Sequence, residues 1–240
     1  MSADQIQPFR DEWQDPEFAV RWDSLPPSTN PVRKDQLSVL VSTIARGYRS
    51  GDLILDIGMG SGQVEEFIFE RIPDAHIVGV DSSQAMLDIA VERLRGHSDR
   101  YTAILHDLRE IDTLQVPDTR YRWVISSQVL HEIPHDAQQA VFSFVASVLP
   151  EDGMYLYADR VTIDQDHFHD AYGAVWDGWK AKSPELIGGS FEEFFEQYRA
   201  KVDYTATLDE SISWLRDAGL IATPVHLQLN RFLIVAQPLR

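Results

Sequence analysis

The chain has 240 residues and sets 38 acidic against 21 basic side chains, a formal charge of −17, so its surface repels phosphate backbones and disfavours nucleic acid as a partner. It has no cysteine, which excludes disulfides, thiolate catalysis and cysteine-ligated zinc and fits a reducing, cytoplasmic setting. No apolar run approaches the about 18 residues of a membrane span, and the first residues lack the basic and apolar segments of a secretory signal.

Residues 1–34 are polar, proline-rich and studded with Phe9, Trp13, Phe18 and Trp22. Pro26, Pro27 and Pro31 block a long helix there, so an irregular arm with one short helix is expected. Leu37, Leu40, Val41 and Ile44 then repeat at helical spacing over 35–49. Strands are predicted at 52–57, 75–80, 101–106, 121–127 and 153–161, with helices at 62–71, 83–95 and 136–149 among them. Such alternation implies a parallel sheet covered on both faces.

The alternation stops at 162–205, a helical insertion rich in aromatic residues. Phe168, Tyr172 and Trp176 recur every fourth residue, with Trp179 three later, and Phe191, Phe194, Phe195 and Tyr198 form a second stripe. These stripes make either the insertion's own core or the roof of a site for an apolar or aromatic ligand, with Gly188-Gly189 as a hinge. His167 and His169 are two apart and diverge on a helix, so with Asp166 and Asp170 they make a poor metal site. A helix at 207–218, stopped by Gly219, leads into runs at 220–229 and 231–238 that read as an antiparallel hairpin at the sheet edge. The whole is one domain: arm and helix (1–49), core (50–161), insertion (162–205), closing helix and hairpin (206–240).

Between the first strand and its helix lies "DIGMGSG", whose Gly58, Gly60 and Gly62 let a ligand approach the main chain. The dinucleotide spacing G-x-G-x-x-G fails, because Gln63 stands where the third glycine belongs. A nucleoside without a pyrophosphate suits the loop better. Asp81 ends the second strand 19 residues after Gly62, where a carboxylate can accept both ribose hydroxyls. Asp107 follows the third strand, placed for an exocyclic amine, with Leu108 against the ring. The plainer reading of both acids is that they cap helices.

Taken together, "LDIGMGSG", "VGVDSSQAML", "LHDLRE", "WVISSQVLHEIP" and "LPEDGMYLYADR" resemble the motifs of class I S-adenosylmethionine-dependent methyltransferases, over roughly residues 50–160 plus the closing helix and hairpin. The resemblance implies a Rossmann-like α/β fold, a seven-stranded sheet in the order 3-2-1-4-5-7-6 with only strand 7 antiparallel. It implies S-adenosylmethionine as cofactor, with Asp56 starting a glycine loop that faces the methionine part. Asp81 would be the ribose acid with Ser82 and Met86 beside the adenine, and Ser127 and Gln128 would line the methyl-donor pocket. His131 would face the substrate, as general base or as lining, oriented by Glu132 or His135.

The family often builds substrate lids from the arm and the insertion, which places Trp13, Trp22, His135, Phe168, Tyr172 and Trp176 at the substrate pocket. The expected activity is methylation of a small, apolar or aromatic metabolite at oxygen or nitrogen. The alternatives are modification of tRNA or protein, and a sensor that binds the cofactor without methyl transfer. A homodimer through the hairpin or the insertion stays open.

Overall fold

A computed structural model describes residues 12–25, 32–163, 165–182, 184, 189–199 and 203–239. Phe9, Pro26, Pro27, Pro31 and Gly188 lie outside the described residues, as do the side chains of Asp166 and Tyr198. Strands β1 (Leu53–Ile57), β2 (His76–Asp81), β3 (Tyr101–Leu105), β4 (Trp123–Ser127), β5 (Met154–Arg160), β6 (Leu220–Gln228) and β7 (Arg231–Pro238) form one sheet. Its order is β3-β2-β1-β4-β5-β7-β6, and β7 runs antiparallel to both of its neighbours. This is the architecture that the motifs imply.

Helices α1 (Pro16–Asp23), α2 (Arg33–Gly47), α3 (Gln63–Arg71), α4 (Gln84–Arg93), α5 (His135–Val148), α6 (Gln165–Lys182), α7 (Phe191–Arg199) and α8 (Leu208–Asp217) complete the described elements. The central strands are apolar on both faces because successive side chains point to opposite sides of a covered sheet. Ile54, Ile125, Leu156 and Leu233 pack toward α2, α3 and α4. Their neighbours Leu55, Val124, Tyr155 and Phe232 face the opposite core with α5 and α8. Some polar groups within these layers are paired: the Tyr155 hydroxyl lies 2.6 Å from that of Ser126, and Gln36 Nε2 donates to the Phe232 carbonyl at 2.8 Å.

The insertion departs from expectation. Phe168 sits at a kink in α6 (φ −120°, ψ 21°), which throws it off the stripe and leaves it 56% exposed. Trp176, Phe191 and Phe195 are buried together, with Tyr172, Trp179 and Phe194 around them. The stripe therefore serves a small core of its own. Leu229 joins that core while holding φ +50° in the two-residue turn between β6 and β7. A left-handed leucine is costly, and burial against Trp176 and Phe191 offsets the strain.

Phe232 is fully buried between the ring of Tyr157 (centroids 4.8 Å apart) and the α5 face. Phe232→Ala is expected to lower the unfolding free energy by about 3–5 kcal/mol, read from urea denaturation with an unchanged slope.

Candidate functional site

The carboxyl ends of β1, β2, β3 and β4 open on a cleft. Its floor is the glycine loop, docked by Gly58 and Met59 N–H groups that donate to the Val80 carbonyl at 2.7 and 3.0 Å. Gly58, Gly60 and Gly62 all hold positive φ (84°, 55° and 78°). A Cβ on Gly58 would lie 2.4–2.8 Å from the Val129 side chain, so only glycine lets the loops after β1 and β4 meet. Gly58 and Gly60 line the cleft. Gly62 does not: it caps α3, and its missing Cβ makes room for Ala90 and Leu94 of α4.

Asp81 lines the cleft and bridges its two sides, accepting the Gly60 N–H and the Ser83 N–H, each at 2.9 Å. Burial pushes its carboxyl above the usual range, and these backbone donors only partly offset that. Ser82, Met86, Asp107, Leu108, Ser127 and Gln128 also line the cleft, as the motifs imply. Asp107 caps the 3-10 segment Leu108–Thr113 through the Arg109 N–H at 2.9 Å and pairs with the Arg109 guanidinium. Capping and cleft lining thus coexist at one acid. Gln128 holds φ +61°; its Oε1 accepts from Arg231 at 2.6 Å, and its buried Nε2 has no acceptor among the described residues.

Asp56 is placed differently from expectation. It lies behind the loop, fully buried beside Glu65 of α3, and does not line the cleft. Burial, and then the neighbouring acid, raises the Asp56 carboxyl well above the ordinary carboxylate range, and burial raises that of Glu65 as well. The two carboxyls hydrogen-bond to each other, and no other side chain among the described residues donates to their oxygens.

The arm forms the roof. Trp13 and Trp22 line the cleft and stack edge to face, centroids 5.5 Å apart. Ser83 Oγ donates to the Trp13 carbonyl, and Gln14 Nε2 donates to the Ser82 carbonyl at 2.8 Å. At the end of α1, Asp23 accepts from Ser61 Oγ, from Gln63 Nε2 at 2.8 Å and from Arg93 at 2.8 Å. One carboxylate therefore clasps the arm to the glycine loop and to α4.

His131 does not face the cleft. It is 4% exposed, and its backbone N–H donates to Asp159 Oδ2 at 3.2 Å while Nδ1 meets Asp159 Oδ1. Nε2 lies 3.1 Å from Glu132 Oε1, and it is Glu132 that lines the cleft. Burial alone would lower the imidazole pKa; the Asp159 carboxylate outweighs it and holds His131 above its ordinary value. Burial likewise opposes ionisation of Asp159, and the His131 charge overcomes it. An imidazolium donating to two carboxylates keeps no lone pair to accept a proton. Arg160 completes the network, 2.6 Å from Asp203 and 3.8 Å from Glu132.

His135, Phe168, Tyr172 and Trp176 are not among the residues lining the cleft. His135 opens α5 and rests its ring on Trp214 (5.1 Å) and Tyr204 (6.3 Å). Cleft residues not named as such from the sequence are Arg33, Met59, Ser61, Gln63, Val64, Val129 and Ile133, together with Glu132 as a cleft wall. Ser61 and Gln63 adjoin the glycine motif and were findable from it; Arg33 carries no local signal.

Comparison with known proteins agrees with this geometry. A methyltransferase-domain family model matches residues 54–153. A carboxy-S-adenosyl-L-methionine synthase of Dichelobacter nodosus is 32% identical over 142 residues, 56% of this chain and 57% of that protein. The chain thus spans little more than half of that relative. A second synthase of that name, from Nautilia profundicola, is 20% identical over 91% of this chain and 90% of its own. Among solved structures, magnesium protoporphyrin IX methyltransferase of Synechocystis PCC 6803 with bound SAM superposes at TM-score 0.65, with 16% identity, over 99% of this chain and 98% of that one. Over residues 54–153 the chain is thus similar to the methyltransferase-domain family, and its fold is that of the solved methyltransferase.

The His131–Asp159 pair gives a pH signature. His131 lies above its ordinary value, so its contribution is complete below about pH 6.5 and is lost as pH rises through the folded value. Asp159 lies below its ordinary value, so its contribution is present above about pH 3.9 and is lost as pH falls through the folded value. The pair is therefore fully effective between about pH 4 and 6.5. The urea midpoint of the wild type is expected to fall relative to that of His131→Gln as pH is raised beyond this window.

Proposed function

We propose that this chain transfers the methyl group of S-adenosylmethionine to an oxygen or nitrogen of a small molecule. The observation that carries the reading is one cleft holding the glycine loop, Asp81, Asp107 and, at the far wall, Glu132. S-adenosylmethionine, when bound, supplies a sulfonium-activated methyl group. The chain's residues bind and orient: Asp81 takes the ribose hydroxyls, Asp107 the exocyclic amine, and Leu108 and Met86 the ring faces. Ser127 and Gln128 bound the methyl end. Trp13 and Trp22 exclude water, which in-line displacement needs as much as alignment.

Glu132, rather than His131, is the group that meets the acceptor. Its carboxylate accepts the hydrogen of an O–H or N–H nucleophile, while the His131–Asp159 pair fixes where that carboxylate points. His131 is then a positioning residue. The acceptor's body meets Trp13 and Ile133, which suits an apolar or aromatic small molecule. The charge of −17 argues against tRNA, and the absence of cysteine fits a cytoplasmic enzyme. A second reading comes from the two relatives named for carboxy-S-adenosyl-L-methionine: formation of a carboxylated cofactor in the same cleft.

Calorimetry with S-adenosylhomocysteine tests the cofactor site, and Asp81→Ala is expected to weaken that binding at least about tenfold. Turnover of isotopically labelled S-adenosylmethionine over a panel of small phenols and amines tests the transfer. The mass of the cofactor product separates S-adenosylhomocysteine from a carboxylated species. Glu132→Gln is expected to lower transfer about 100-fold while leaving S-adenosylhomocysteine affinity unchanged. Cofactor binding with no turnover of any compound would leave the sensor as the better reading.

A further inference from the structure

Arg33 is the one basic side chain among the described residues that line the cleft. It is the first residue of α2, outside the segment that the methyltransferase family model matches. Its guanidinium makes no hydrogen bond and no ion pair with the described residues; it lies over the ring of Trp22, 5.8 Å from the centroid. The acids nearest to it are unavailable. Asp23 is already engaged by Ser61, Gln63 and Arg93, and Asp56 and Glu65 are sealed behind the glycine loop. Burial lowers the pKa of Arg33, with Asp23 opposing and Arg93 reinforcing that shift. A desolvated guanidinium with free donors, facing a cavity, is a site built for an anion that arrives with a ligand.

We infer that Arg33 binds the carboxylate of the cofactor's amino-acid end and so selects nucleosides that carry an amino acid over those that do not. This rests on the proposed cofactor reading and deepens it. The other charged walls of the cleft, Asp81, Asp107 and Glu132, are acids and repel a carboxylate. Arg33 lies within electrostatic reach of Asp23, whose carboxylate holds Ser61 and Gln63, which sets it beside the glycine loop. A planar guanidinium offers two parallel N–H donors to a carboxylate, which a lysine cannot reproduce. Stacking on Trp22 holds the plane in place before the ligand arrives, so little side-chain freedom is lost on binding.

The test compares two ligands that differ at that end. S-adenosylhomocysteine carries the amino acid; 5′-methylthioadenosine has the same nucleoside and thioether without it. Arg33→Ala and Arg33→Gln are expected to lose at least about tenfold in affinity for S-adenosylhomocysteine and to keep that for 5′-methylthioadenosine within about twofold. Retained 5′-methylthioadenosine binding also reports that each variant is folded. Unchanged S-adenosylhomocysteine affinity overturns the inference. Equal loss for both ligands also overturns it, assigning Arg33 to the packing of the arm. Failure of the wild type to bind either ligand would instead sink the cofactor reading itself.

Discussion

The whole site hangs on the Asp81 carboxylate. It accepts one backbone N–H from the glycine loop and one from the start of α4, and so fixes the spacing between the first two strand-to-helix junctions. The cleft is the gap between those junctions. Ionising a carboxyl that burial pushes upward is unfavourable, and two N–H bonds return part of that cost without discharging the group. The remaining acceptor capacity faces the cavity. An acid in this state keeps acceptor capacity toward the cavity, although it uses capping geometry to reach that position.

A cavity between two junctions is open to water unless something covers it, and the cover comes from far away in sequence. Trp13 is tied through its carbonyl to Ser83, and Asp23 joins Ser61, Gln63 and Arg93. These bonds land on the same two junctions that Asp81 spans. Loop, nucleoside wall and roof therefore form one cooperative unit, in which loosening the arm also loosens the glycine loop. The insertion stands apart from this unit. Its rings close on one another and on Leu229, and the same contacts pin the β6–β7 turn.

Period and punctuation carried the strands and the glycine loop into view before any coordinates, and the resemblance of the motifs implied the strand order. Apolar runs of strand length between helical patterns admit few other arrangements. Placement at the cleft was legible where it follows from the junction, as at Asp81, Asp107 and Ser127. It was not legible where orientation decides. His131 and Glu132 are adjacent in the 3-10 turn Leu130–Glu132, where successive side chains point about 120° apart. The sequence names both and cannot say which one meets the cavity. Phe168 fits the α6 stripe by spacing and leaves it by a local kink. Gly62 belongs to the motif by spacing, yet its lack of a side chain serves the packing of α3 on α4. Arg33 precedes the region where the helical repeat becomes visible, so nothing in the pattern distinguishes it from a solvated arginine.

Charge placement binds these points together. With acids outnumbering bases 38 to 21, the chain's surface draws cations and repels anions. Against that background, Arg33, Arg93 and Arg160 sit inward, each beside acids of a different element: Arg33 near Asp23, Asp56 and Glu65, Arg93 on Asp23, and Arg160 between Glu132 and Asp203. Two of these cations are spent on protein carboxylates and hold the walls of the cleft in register. Arg33 is not. A sulfonium and an ammonium are favoured by the acidic field at every approach, so overall attraction says nothing about which way round a ligand enters. The orientation has to come from the one group of opposite sign. Among the described residues that line the cleft, a single cation beside the glycine loop, against Asp107 and Glu132 elsewhere on the wall, turns a nonspecific field into a directional one.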